Sequence, residues 1–171
     1  IIYKALQSHS EGNISDAKKF YQYCINQGFK DHRVFCNYGI ILKNLGKLKD
    51  AELYTHKAIS LKPDYVIAHS NLGGILSDLG KLKDAELSNR KAIKLKPDYA
   101  EAHSNLGNIL RDLGKFEKAE NFLRKAIEIR PDISSTYLNL AAILRNLRKL
   151  EEAENFLRKA IEIKPDFAMA Y

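Results

Sequence analysis

The chain has 171 residues, 45% hydrophobic and 29% charged, with a formal net charge of +7. This balance supports one domain or two small ones with a sizeable buried core and excludes wholesale disorder. Apolar runs stop far short of the roughly 18 residues needed to cross a bilayer, so no membrane span is read. Two cysteines, Cys24 and Cys36, are too few for a disulfide framework or a zinc cluster, and a reducing, cytoplasmic setting is expected. The opening Ile1-Ile2-Tyr3-Lys4 has neither an initiator Met nor an apolar leader, so the chain reads as an excerpt of something longer.

The only prolines, Pro63, Pro97, Pro131 and Pro165, recur every 34 residues, the mark of an internal repeat. Setting each at place 32 of its unit gives 1–31 (truncated at its start), 32–65, 66–99, 100–133 and 134–167, with 168–171 opening a further helix. The first unit carries Ala5, Gly12, Ala17 and Cys24 at places 8, 15, 20 and 27. The second repeats them as Gly39, Gly46, Ala51 and Ala58, the third as Gly73, Gly80, Ala85 and Ala92. The fourth has Gly107, Gly114, Ala119 and Ala126, and the fifth Ala141, Arg148, Ala153 and Ala160. Large residues keep the same rhythm, with Leu42, Leu76, Leu110 and Leu144 at place 11 and Ile25, Ile59, Ile93, Ile127 and Ile161 at place 28. Apolar and small places 4, 7, 8 and 11, then 17, 20, 24, 27 and 28, trace one face each of two helices, so every unit reads helix, turn, helix.

The place-15 glycine can take the left-handed conformation that ends the first helix. Arg148 in that place predicts ~1 kcal/mol of backbone strain. Each Pro-Asp pair stops the second helix, and Asp64, Asp98, Asp132 and Asp166 are expected to cap the helix that follows. Glu52 and His56, Glu86 and Arg90, Glu120 and Arg124, and Glu154 and Arg158 stand four apart with the acid first. They are expected on a solvated face, each adding a few tenths of a kcal/mol.

The stretch His103-Ser104-Asn105-Leu106-Gly107-Asn108, followed by Leu113-Gly114-Lys115 and Arg124-Lys125-Ala126-Ile127-Glu128-Ile129-Arg130-Pro131, resembles a tetratricopeptide repeat. The pattern at places 7, 8, 11, 20, 27 and 32 extends that resemblance across nearly the whole chain. It departs where the family's bulky place 4 is His69 and His103 and its aromatic place 24 is Thr55 and Asn89, so the second and third units are expected to pack less tightly. The resemblance implies an all-α, right-handed superhelix of antiparallel helix pairs whose first helices line an inner groove. It also implies a protein-interaction module, without catalysis or a cofactor of its own.

At about 100° per residue, places 2, 6, 9 and 13 of the first helix point away from its packing seam. Place 6 is Asn37, Asn71, Asn105 and Asn139 in the four complete units, and Tyr3 in the truncated one. Place 13 adds Asn44, Asp78, Asp112 and Asn146, and Asn108 sits at place 9. A carboxamide carries the donors and the acceptor that a peptide backbone presents, so a row of them can grip an extended chain without reading its side chains. Asn37, Asn71, Asn105 and Asn139, flanked by Asn108, Asp78 and Asp112, are therefore the expected peptide-binding residues. A row that satisfies only nearby backbone or water is the plainer alternative. The row is similar to the repeat region of protein O-linked N-acetylglucosamine transferases, where such asparagines hold polypeptide substrates for an appended catalytic domain. A domain of that kind beyond Tyr171 would make this chain a substrate-presenting arm. The carboxylate clamp of chaperone-binding family members is absent, because place 5 is Cys36, Ser70, Ser104 or Leu138 rather than lysine.

His69 and His103 occupy the seam and read as packing rather than as metal ligands, since no thiol or acid recurs beside them. Cys24 falls at a small buried place, whereas Cys36 could face the groove; both read as inert thiols. No P-loop, dinucleotide fingerprint or nucleophile elbow is present. Net charge by unit is +1, +3, +2, 0 and +1. The lysines at places 16 and 26 lie at helix starts and flanks rather than among aromatic platforms, which disfavours nucleic acid as a partner. End-to-end self-association is a third reading, because the fifth unit would leave apolar surface at its outer edge.

Overall fold

The computed structural model describes residues 1–165. Among them the chain forms ten α-helices and no strand: α1 (Ile2–Ser10), α2 (Ile14–Asn26), α3 (His32–Asn44), α4 (Leu48–Leu61), α5 (Val66–Asp78), α6 (Leu82–Leu95), α7 (Ala100–Asp112), α8 (Phe116–Ile129), α9 (Ser134–Asn146) and α10 (Leu150–Ile163). They fall into two compact units, Ile1–Lys81 and Leu82–Tyr171. In the first, α1 pairs with α2 and α3 with α4, and α5 packs on α3 and α4. In the second, α6 packs on α7, α7 pairs with α8, α9 with α10, and α9 also contacts α7 and α8.

The hairpins close as the glycines dictate. Gly12, Gly46, Gly80 and Gly114 have φ between +72° and +77°, and Arg148 shares the conformation at +61°. In the turn after α3, the Gly46 N–H donates to Lys43 O and the Lys47 N–H reaches back to Leu42 O, both at 2.9 Å. This pairing satisfies carbonyls that the helix end would otherwise orphan. Gly28, at φ +75°, ends α2 in the same way: the Phe29 N–H donates to Cys24 O at 3.0 Å. Phe29 stands where the later units have proline.

The small places let helices approach, and the large ones fill the space beside them. Ala5, Ala17, Tyr21, Cys24, Val34, Tyr38, Ile41 and Leu42 form one core; Leu106, Leu110, Ala119, Leu123, Leu140, Ile143 and Leu144 form the core of the second unit. A Cβ on Gly107 would lie 2.6 Å from Leu123 Cγ, so helix α7 needs glycine to seat against α8. Each fully buried leucine contributes about 1.5–3 kcal/mol through area removed from water.

Three sequence expectations need correction. First, the Pro-Asp aspartates do not cap the next helix. The N-caps of α5, α7 and α9 are Tyr65, Tyr99 and Ile133, without a side-chain cap bond. The turn through Pro63 and Asp64 closes with the Tyr65 N–H on Lys62 O at 3.1 Å, so one residue stands between the aspartate and the helix. Asp166 lies outside the described residues. Asp31, with no intervening residue, does cap α3, accepting from the Arg33 N–H at 2.8 Å. The Arg33 guanidinium holds the Asp31 carboxyl below its usual range.

Second, Thr55 does not loosen its unit. It is fully buried, donates to Ala51 O at 2.8 Å, and sits so close to α3 that a Cβ on Gly39 would lie 2.6 Å from its hydroxyl oxygen. Asn89, also fully buried, donates to Ala85 O at 3.1 Å. Thr55 thus satisfies its hydroxyl on its own helix, whereas Asn89 Oδ1 stays buried without a hydrogen-bond partner among the described residues, so the expectation is corrected for Thr55 alone.

Third, the acid-first pairs are not simply a solvated face. Glu86–Arg90, Glu120–Arg124 and Glu154–Arg158 form at 2.6–2.8 Å, but Glu52 pairs with Lys81 rather than His56. Lys115 reaches Glu86 at 3.1 Å and Lys149 reaches Glu120 at 2.8 Å. In the second compact unit Lys115 and Lys149 therefore tie the start of one second helix to the second helix before it. Glu120, only 7% exposed, accepts from both Arg124 and Lys149. Burial pushes its carboxyl pKa up, but these bonds outweigh that and hold it below the ordinary value.

Candidate functional site

Places 6, 9 and 13 of the first helices carry the candidate residues, and each compact unit holds two members of the asparagine row. In the first unit, Asn37 on α3 is half-buried and its Nδ2 donates to the Tyr21 hydroxyl at 3.0 Å. That hydroxyl also lies 3.1 Å from His9 Nδ1. Burial lowers the His9 pKa, so the neutral ring is favoured beside that hydroxyl. Asn71 on α5, likewise half-buried, donates from Nδ2 to Cys36 Sγ at 3.3 Å. Cys36 is fully buried and so does not face a groove. Burial pushes its thiol up to about 11, against the opposing Asn71 bond. Asp78 is exposed and lies 3.4 Å from Lys43 Nζ, which links α3 to α5.

In the second unit, Asn105 on α7 and Asn139 on α9 are half-buried. Asn108 Oδ1 is buried without a hydrogen-bond partner among the described residues. Asp112 is exposed and takes its neighbour Arg111 at 2.9 Å. Asn146, in the matching place on α9, donates to Ala142 O at 2.9 Å. Thus Asn37 and Asn71 each spend one N–H on the preceding repeat and retain, by the stoichiometry of a carboxamide, a second N–H and the carbonyl oxygen. Sequence spacing aims the row but does not reveal Tyr21 and Cys36 as its partners, since both lie on neighbouring helices.

The repeated histidines are structural straps. His69 Nε2 lies 2.8 Å from Pro63 O and His103 Nε2 2.8 Å from Pro97 O. Tyr137 makes the same link in the next unit, its hydroxyl donating to Pro131 O at 3.0 Å. Among the described residues no three His, Cys, Asp or Glu side chains converge as metal ligands.

Glycine-ended helix hairpins with small residues at every close approach define a helical-hairpin repeat protein. Family models described as tetratricopeptide repeat match residues 32–65, 100–133 and 134–167, and one described as TPR repeat matches 75–110. The chain belongs to the tetratricopeptide-repeat family. Solved structures share the fold. TTC0263, a thermophilic repeat protein of Thermus thermophilus, is 21% identical with a TM-score of 0.82, covering 95% of this chain and 89% of its own. MamA from Desulfovibrio magneticus RS-1 is 20% identical with a TM-score of 0.77, covering 96% and 93%. YrrB, described as a repeat protein with an unusual peptide-binding site, is 22% identical with a TM-score of 0.71, covering 97% and 86%. No curated protein sequence matches. No described helix is long and apolar enough to cross a membrane.

Proposed function

We propose that this chain is a protein-interaction scaffold that holds an extended polypeptide segment against the first-helix face of its hairpins. The observation that carries this reading is the asparagine at place 6 of all four complete repeats, two in each compact unit. Where their partners are seen, at Asn37 and Asn71, one N–H is spent within the fold and backbone-matching capacity remains. Asn108, with its unmatched oxygen, and Asp78 and Asp112 flank the track. The segment is held through its main chain, so sequence-tolerant binding follows. A peptide-binding site described for YrrB supports a peptide as the ligand class. The chain on this reading works as the substrate-holding repeats of O-linked N-acetylglucosamine transferases do, without catalysing anything itself. Two free, buried thiols, Cys24 and Cys36, support a reducing, cytoplasmic setting.

The test is fluorescence anisotropy with labelled unstructured peptides of unrelated sequence. Losing two amides at about 1 kcal/mol each predicts that Asn71→Ala with Asn105→Ala weakens every peptide by roughly tenfold or more. Helical circular dichroism should stay intact. Unchanged affinity refutes the row.

A further inference from the structure

Where α2 ends, α3 begins and α4 ends, the first unit opens a hollow of about 390 Å³ that none of the row asparagines lines. Ile25, Phe29, Phe35 and Leu61 give it an apolar floor, and Phe29 and Leu61 remain 41% and 42% exposed. Lys30 and Lys57 stand on its rim. Lys57 Nζ sits 5.0 Å from the centre of the Tyr54 ring and 5.9 Å from that of Phe35. Among the described residues neither lysine has a carboxylate partner, and no carboxylate lines the hollow.

Two departures from the repeat, and one place at which the repeats differ among themselves, make this feature. Phe29 replaces the proline found as Pro63, Pro97 and Pro131. Phe35 fills the place where His69, His103 and Tyr137 reach back to bond that proline's carbonyl, and a phenyl ring cannot make the bond. Ser60 stands where the fourth repeat has Glu128, which neutralises the matching lysine, Lys125, at 2.8 Å. In the fourth repeat the matching charge is therefore satisfied, whereas here it is open.

We infer that this hollow docks a partner polypeptide through an aromatic or branched apolar side chain flanked by Asp or Glu. The apolar side chain covers Phe29 and Leu61, and the flanking carboxylates reach Lys30 and Lys57. The helix ends do not cancel this preference. Two C-termini and one N-terminus leave roughly −0.5 charge there, against two full ammonium charges. Charged rims of this kind set partner choice more than raw affinity.

The test uses a fluorescent decapeptide with one phenylalanine flanked by two aspartates on each side in a Gly-Ser frame. Saturable binding is expected, weakened roughly tenfold when the peptide's phenylalanine becomes alanine or its aspartates asparagine. Ser60→Glu, which copies the Glu128 arrangement on an exposed position, should weaken it similarly. Phe29→Ser should do so too, and Ser60→Lys should tighten it. The asparagine row would hold the phenylalanine peptide and its alanine counterpart alike, so the roughly tenfold difference between the two reads this hollow and not the row. The inference is overturned if the phenylalanine peptide binds no more tightly than its alanine counterpart, if Ser60→Glu leaves that difference intact, or if poly-aspartate or a single-stranded oligonucleotide binds as tightly.

Discussion

Arg148→Gly should stabilise the protein. Arg148 is the one non-glycine at positive φ among the described residues, at +61°, whereas Gly114 closes the equivalent turn of the same unit at +72°. A Cβ in the left-handed region costs ~1–2 kcal/mol, and the extra freedom of glycine in the unfolded chain takes back ~0.4–1 kcal/mol. The exposed side chain makes no hydrogen bond or ion pair with the described residues that would be lost. The turn's bonds, Arg148 N–H to Arg145 O at 3.1 Å and Lys149 N–H to Leu144 O at 2.9 Å, belong to the backbone. The expected net gain is about 0.5–1 kcal/mol, read by urea denaturation or as a rise of roughly 1–4 °C in Tm. The reciprocal Gly114→Arg should lose a similar amount. Nothing lies within 4 Å of a Cβ built there, so its cost is purely conformational. A destabilised Arg148→Gly together with a neutral Gly114→Arg would refute the strain argument.

Gly107→Ala should cost ~1–3 kcal/mol through collision with the buried Leu123. Gly74→Ala, which meets only the flexible Lys43 ammonium at 3.4 Å, should be neutral or gain ~0.5–1 kcal/mol of helix stability in the same urea assay. Glu120→Gln should lose about 1 kcal/mol at neutral pH, after allowance for the exposed Lys149 side chain. Because the folded carboxyl is held below its ordinary value, its contribution is present above the unfolded pKa of about 4.3 and is lost as pH falls through the folded value. The stability-versus-pH curves of native and variant protein should therefore converge in acid. Cys36, fully buried and raised to about 11, should resist a thiol reagent at mildly alkaline pH until urea unfolds the chain.

Features set within one helix hairpin were legible in the sequence. The place-15 glycines announced positive φ because only that conformation lets the chain leave the first helix and enter the second, and even Arg148 obeyed. The alanines at places 20 and 27 announced close approach, and all are buried among the described residues. Features that depend on neighbouring repeats were not legible. Glu120 looked like one half of an exposed pair because sequence does not show that Lys149, 29 residues onward in the next repeat, bonds it. Asp64 looked like a cap because sequence does not show that Tyr65 closes the turn first. The bonds of Asn37 and Asn71 to Tyr21 and Cys36 could not be read from the sequence, because they depend on how helices stack.

Heteronuclear NMR of the side-chain amides reads the asparagine row itself while unstructured peptides of unrelated sequence are titrated in. The amide signals of Asn37, Asn71, Asn105 and Asn139 should shift saturably with every peptide. Those of Asn26, Asn121 and Asn155, exposed on the second helices, should stay in place. Saturated binding that leaves the row unmoved, or that shifts only the second-helix amides, would contradict a scaffold that holds its partners by the main chain.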